Sequence, residues 1–424
     1  MSRFRFSRRL FLRESLASLA ALALLSSPVR ADRDPARWVG TWSAAMQATF
    51  PSVPPATFSN VTLREVVRVT IGGNLVRVRF SNATGDDTLL IGAASVGVRS
   101  TGASVRGGAP RTLRFGGSGS ISVPPGAVAI SDPVVLDVAA QDDLAISLYV
   151  PNSQAGSTQL TLAHQTSYVS PSGDFTQQGT MPLASTITSW YWLSGVEVVR
   201  GPGARAVVAF GDSITEGFNS TTDANARWPD VLARRLLSHR GTRDVSVLNE
   251  AISGNRVLND VIGPNAQKRL DRDALTQGGL AYVILLEGTN DMGFSQLPPG
   301  IFGPGVSLAD VSANAIIAGY VQIIRRVHQA GAKIYGATVL PFEGAGYYDA
   351  AVEPKRAALN AFIRNSRQFD GVIDFDAVMR DPAHPTRMLA AYDSGDHLHP
   401  NDAGYAVMGN AIDLSLFAGD DNDD

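Results

Sequence analysis

The hydrophobic pattern of this chain changes period once, at Gly201-Pro202-Gly203, and that change constrains the fold more than any other feature. Before it, short alternating runs are separated by Gly, Pro, Asn and Asp; after it, unbroken apolar runs alternate with stretches of helical period. A period of two marks strands with one buried face, whereas wholly apolar runs between helices mark strands buried on both faces. The pattern predicts an all-β sandwich or jelly roll over 32–202 and a three-layer α/β/α domain over 203–424. A chain of 424 residues is long enough for both.

In the second half, strands are expected at 206–210, 245–248, 282–286, 333–340 and 372–375, and helices at 228–239, 311–330, 353–366 and 402–414. Right-handed crossovers then give a parallel sheet with helices on both faces, and such sheets bind ligands at the carboxyl ends of their strands. In the first half, Val67, Val69 and Ile71 alternate with Arg68 and Thr70, Gly72-Gly73-Asn74 punctuates, and Val76, Val78 and Phe80 alternate with Arg77 and Arg79. That pattern predicts a β-hairpin with one buried face. A further strand is expected at 190–199, and its Trp190, Tyr191 and Trp192 have two readings: rings on which a sugar stacks, or core filling, the commoner use of aromatics. His164, isolated in this half, reads as structural.

The N-terminus reads as an address. Paired Arg8 and Arg9 precede the apolar run 16–25, and Val29-Arg30-Ala31 is a small-residue cleavage site. The run is well short of the ~20 residues a bilayer requires, so 1–31 resembles a twin-arginine export signal and not a permanent anchor. The expected partner is the twin-arginine export machinery, and the expected destination is the periplasm or the medium. The net charge of −3 gives no argument for nucleic acid or an anionic membrane surface. With no cysteine in the chain, disulfides, thiolate metal sites and thiol nucleophiles are excluded, leaving serine, histidine and carboxylates to carry chemistry.

Those residues gather behind the predicted strands. Phe210-Gly211-Asp212-Ser213-Ile214-Thr215-Glu216-Gly217 puts a serine where the first parallel strand turns into a helix, without the G-x-S-x-G spacing of the α/β-hydrolases. Asn249 to Asn255, containing Gly254, follows the second strand; Gly288-Thr289-Asn290-Asp291 follows the third; Asp396-His397-Leu398-His399-Pro400 lies near the end. A serine hydroxyl needs a base, and a histidine near its solution pKa of about 6.5 can take the proton and return it. Of six histidines, His397 and His399 are placed to do so, with Asp393 and Asp396 as carboxylate partners by spacing. Asp396, His397 and His399 could alternatively ligate a metal, a reading that leaves the serine block unexplained.

In this order the four blocks resemble those of the GDSL, or SGNH, hydrolase superfamily, over about 207–414. The resemblance implies a flavodoxin-like fold and a metal- and cofactor-independent carboxylic-ester hydrolase. Its pattern D-x-x-H-P selects His399 as base and Asp396 as its partner, with Ser213 as nucleophile. It implies an oxyanion hole made by the backbone N–H groups of Ser213 and Gly254 and the side-chain amide of Asn290. Asp212 and Asp291 are read as loop-fixing carboxylates, and the loops 300–305 and 343–348 as pocket borders by position. Looser phrases, Val39-Gly40-Thr41-Trp42 and Thr188-Ser189-Trp190, resemble the XynE-like esterases with an N-terminal β-domain. The expected substrate is a small-molecule or polysaccharide ester, with acetyl groups foremost; the rival is an exported sugar-binding protein with an inert hydrolase half.

Overall fold

The computed structural model describes residues 37–50, 53–303, 306 and 308–418. The twin-arginine segment lies outside the described residues. Among those described, no helix is long and apolar enough to cross a membrane.

Among the described residues the first half contains two large antiparallel sheets and three two-stranded ones. One large sheet has the order Arg37–Ser43, Leu193–Arg200, Gly73–Ser81, Val134–Val138, with Val128–Ile130 also paired to Gly73–Ser81. The other has the order Ser185–Ile187, Ser167–Ser172, Val61–Arg68, Asp143–Val150, Ala93–Val98, Arg111–Thr112. Leu63, Val67, Ile146 and Leu148 from the second sheet and Val76, Val78, Phe80 and Val196 from the first share one core. Burial of alternate side chains from two such faces is the main stabilising term of a sandwich.

Two segments depart from what their alternating pattern predicts. The predicted hairpin does not form: Val61–Arg68 and Gly73–Ser81 belong to different sheets. Alternation reports which face of a strand is buried, not which strand lies beside it. The crossing segment finds other partners, with Val69 N–H donating to Asp142 O at 3.0 Å and Ile71 N–H to Thr41 Oγ1 at 3.0 Å. The predicted strand 190–199 is broken at Trp192, whose φ is 61°. Trp190–Tyr191 pairs with Gln159–Leu160, while Leu193–Arg200 continues in the other sheet. All three rings of the break are buried, and Trp190 Nε1 donates to Val66 O at 2.9 Å. They fill the core and offer no sugar platform.

The second half carries a parallel sheet of five strands, β1 (Arg205–Gly211), β2 (Val245–Ala251), β3 (Leu280–Leu286), β4 (Lys333–Ala337) and β5 (Gly371–Ile373), in the order β2-β1-β3-β4-β5. On β1, Val207 and Ala209 pack with Trp228, Leu232, Tyr405 and Met408 of the helices Trp228–Ser238 and Asp402–Ala411. Val208 and Phe210 point to the other face and share a core with Ile316, Tyr320 and Leu359 of the helices Ala313–Gln329 and Glu353–Asn365. This two-sided burial is why β1 reads as an unbroken apolar run.

The halves pack as one compact unit. Arg37–Ser43 lies along β2, and Ala44 forms a parallel bridge with Asn249. A Cβ on Gly40 would stand 2.8 Å from Leu248 Cδ1, so the close approach here leaves room only if the Leu248 side chain gives way.

Candidate active site

β1 ends at Gly211 and the chain turns at once into the one-turn helix Ser213–Glu216. Asp212 caps it, its Oδ1 accepting from Ile214 N–H at 3.0 Å, and Gly217 closes it with φ 100°. A Cβ on Gly211 would stand 2.3 Å from Thr215 Oγ1 and 2.7 Å from Leu286 O, so only glycine allows the turn to close against β3. Ser213 is thereby fixed at the head of the strand.

The loop before the last helix meets it there. Ser213 Oγ lies 2.8 Å from His399 Nε2, and His399 Nδ1 lies 2.6 Å from Asp396 Oδ2. Asp396 Oδ1 also accepts from the backbone N–H groups of Leu398 at 2.9 Å and His399 at 2.8 Å. Partial burial works to raise the Asp396 pKa, but the hydrogen bonds and charge of His399 prevail and hold it well below the usual carboxylate range. Phe218 covers the imidazole, with ring centroids 4.4 Å apart. His397 forms its own pair with Asp393, Nδ1 to Oδ2 at 2.6 Å, and this ring packs against Gly344 at the surface. The two histidines thus serve different carboxylates, and no group of three His, Asp or Glu among the described residues could hold a metal ion.

Asn290 sits in the first turn of the helix Thr289–Gly293 and is buried. Its Nδ2 donates to Asn255 O at 2.9 Å and points at Asp212 Oδ2, 3.4 Å away. Gly254 has φ 73°, which favours glycine, and a Cβ there would stand 2.2 Å from Ile262 Cδ1 and force that side chain to move. Asp291 accepts from Val257 N–H at 2.7 Å and Leu258 N–H at 3.2 Å, which pins the loop that carries Gly254 and Asn255. Burial pushes Asp291 up to about 6 and Asp212 up to about 7, the charge of Asp291 adding to the latter.

Four supporting residues carried no individual signal in the sequence. Arg269, wholly buried, donates to Gly211 O at 2.9 Å, Glu250 O at 2.6 Å and Asn255 Oδ1 at 2.8 Å, and pairs with Glu287 at 3.2 Å. One guanidinium so ties the carboxyl ends of β1, β2 and β3, and its five donors make arginine suited to that task. Tyr347, within the loop noted only by position, donates to Asn290 Oδ1 at 3.1 Å. Asn219 Nδ2 reaches Asp396 Oδ2 at 3.2 Å and Ser394 Oγ at 2.9 Å. Asp223 in the same loop is held by the β-rich half: it accepts from Thr166 N–H at 2.6 Å and Thr166 Oγ1 at 2.7 Å. The only available signal was the run of polar residues in these loops, which does not say what they touch.

An open-sheet α/β fold with a serine at the head of β1 and an Asp–His pair before the last helix defines a class of hydrolase, and residues 209–407 match the model of the GDSL-like lipase/acylhydrolase family. Residues 209–407 thus form a GDSL-like lipase/acylhydrolase domain. Among solved structures the chain is similar to a GDSL-like lipase from Bacteroides thetaiotaomicron, at 18% identity, covering 50% of this chain and 87% of that one with a TM-score of 0.37. It is similar to the aryl esterase of M. smegmatis at 18% identity, covering 50% and 98% with a TM-score of 0.38. It is also similar to an acetyl-xylooligosaccharide esterase from Geobacillus at 19% identity, covering 51% and 95% with a TM-score of 0.38. None of the curated proteins matches.

Proposed function

We propose that the chain is an exported serine esterase that cleaves short-chain carboxylic esters, acetyl esters foremost, through an acyl-enzyme on Ser213. The observation that carries the reading is the continuous path from Ser213 Oγ to His399 Nε2 at 2.8 Å and from His399 Nδ1 to Asp396 at 2.6 Å. On this reading His399 takes the hydroxyl proton as Oγ attacks the ester carbonyl, and Asp396 orients the ring and stabilises the imidazolium. The oxyanion is met by the backbone N–H groups of Ser213 and Gly254 and by Asn290 Nδ2. His399 then gives its proton to the leaving alcohol, and water activated by the same ring releases the acid. None of these steps calls for a metal or cofactor.

Export through the twin-arginine route to the periplasm or the medium is proposed from the paired arginines and the apolar run behind them. Acetylated polysaccharide is the substrate class that suits export and the XynE-like phrases of the β-rich half. With the aromatic triplet buried in the core, that half is read as a support for the site, acting through the Asp223–Thr166 contact. A panel of acetylated xylan, acetylated sugars and p-nitrophenyl esters of rising chain length tests the substrate: highest kcat/KM on acetyl esters is expected, and preference for long acyl chains would overturn it.

A further inference from the structure

Glu216 ends the helix that begins with Ser213, is only 2% exposed, and takes no part in the proton transfers proposed above. Its Oε2 accepts a hydrogen bond from Ser253 Oγ. Ser253 immediately precedes Gly254, in a turn closed by Asn255 N–H donating to Ile252 O at 3.0 Å. The nucleophile's helix arrives from β1 and this turn from β2, so the Glu216–Ser253 bond joins the two separately carried parts of the site. Arg227 is close by but engaged with Asp230 at 2.7 Å, and Ser253 is the donor whose hydrogen bond Glu216 receives.

We propose that Glu216 is a positioning residue that grips Ser253 and so holds the Gly254 backbone N–H at its working distance from Ser213. The inference rests on the reading of Gly254 as an oxyanion donor. An oxyanion hole is effective only if its donors are fixed before charge develops, and a slack turn would spend part of that stabilisation on reorganisation. A charged carboxylate beside a forming oxyanion would oppose it. Burial pushes Glu216 up to about 8, against the pull of Ser253 and Arg227, so near neutrality the group is largely uncharged and still accepts the hydrogen bond.

The test compares kcat and KM for p-nitrophenyl acetate in Glu216→Gln, Glu216→Leu, Ser253→Ala and the pair Glu216→Leu/Ser253→Ala, with Asn290→Ala and Ser213→Ala as references and melting temperatures for all. Glutamine keeps an uncharged acceptor and is expected within about threefold of wild type. Leucine is expected to lower kcat by roughly 10- to 100-fold with KM within about threefold, less than the ~100- to 1,000-fold of losing a donor outright. Ser253→Ala is expected to fall in the same direction, and the pair to be no slower than the worse single variant, because both remove one contact. Wild-type kcat in a folded Glu216→Leu, or an equal loss in Glu216→Gln, overturns the inference. Should leucine prevent folding, wild-type kcat in Ser253→Ala overturns it instead. If Asn290→Ala is slow while Glu216→Leu and Ser253→Ala are not, only this inference fails; if Ser213→Ala is as fast as wild type, the acyl-enzyme reading beneath it fails.

Discussion

The hydroxyl of Tyr347 donates to Oδ1 of Asn290 at 3.1 Å, so the two ends of the amide are held by different partners. With Oδ1 engaged, Nδ2 is turned toward Asn255 O and Asp212. Burial, with the charges of Asp212 and Asp396 adding to it, pushes the Tyr347 phenol well above its ordinary value, so it stays a donor at any working pH. Tyr347→Phe is therefore expected to lower kcat about 3- to 30-fold with little change in KM, since it loosens the donor without removing it. Steady-state kinetics on p-nitrophenyl acetate check this; an unchanged kcat would mean that Asn255 O alone orients the amide.

The loop after the nucleophile's helix is held at both ends, by Asp396 through Asn219 and by the β-rich half through Asp223. Asp223→Ala should release it and lower kcat several-fold. Thr166→Ala, far from Ser213 in sequence, should act in the same direction by removing the hydroxyl that donates to Asp223 at 2.7 Å. Both bonds are solvent-exposed, so each is worth about 0.5–1.5 kcal/mol net, enough to shift the loop's population measurably. Wild-type kcat in both variants would confine the β-rich half to a passive role.

Stability should fall as pH rises through neutrality. Burial raises Asp291 to about 6, Asp212 to about 7 and Glu216 to about 8, so the folded chain keeps protons that the unfolded chain gives up near pH 4. The stability these groups contribute is fully present below about pH 4 and is lost as pH climbs through the folded values. Asp396 has the opposite sign: its depressed pKa gives a contribution present above about pH 4 and lost on acidification. Thermal melts between pH 6 and 9 should show a declining Tm, and Glu216→Gln, which cannot ionise, should show a shallower decline. Equal slopes would mean that Glu216 does not titrate in the fold.

The parallel sheet was legible in the sequence because β1 and β3 are buried on both faces and so leave unbroken apolar runs. The candidate site was legible as blocks because each loop carries residues that an ordinary turn has no need of: Ser213 behind Gly211, Asn290 behind Gly288, and two Asp–His spacings at the end. Spacing alone left both pairs open, and only the fold separates them, burying His399 against Ser213 and leaving His397 at the surface. Arg269 was not legible, since an arginine in a short helix reads as a solvated charge until three strand ends are seen to converge on it. The hairpin failed for a related reason: alternation fixes a face, while pairing depends on where the chain travels between the sheets.

The proposed function depends on Ser213 forming the acyl-enzyme. Hydrolysis of p-nitrophenyl acetate by wild type and Ser213→Ala, with both proteins shown to melt alike, tests it most directly. The predicted result is turnover by wild type and a loss of at least about a thousandfold in Ser213→Ala. Equal turnover by the two proteins would remove Ser213 as the nucleophile.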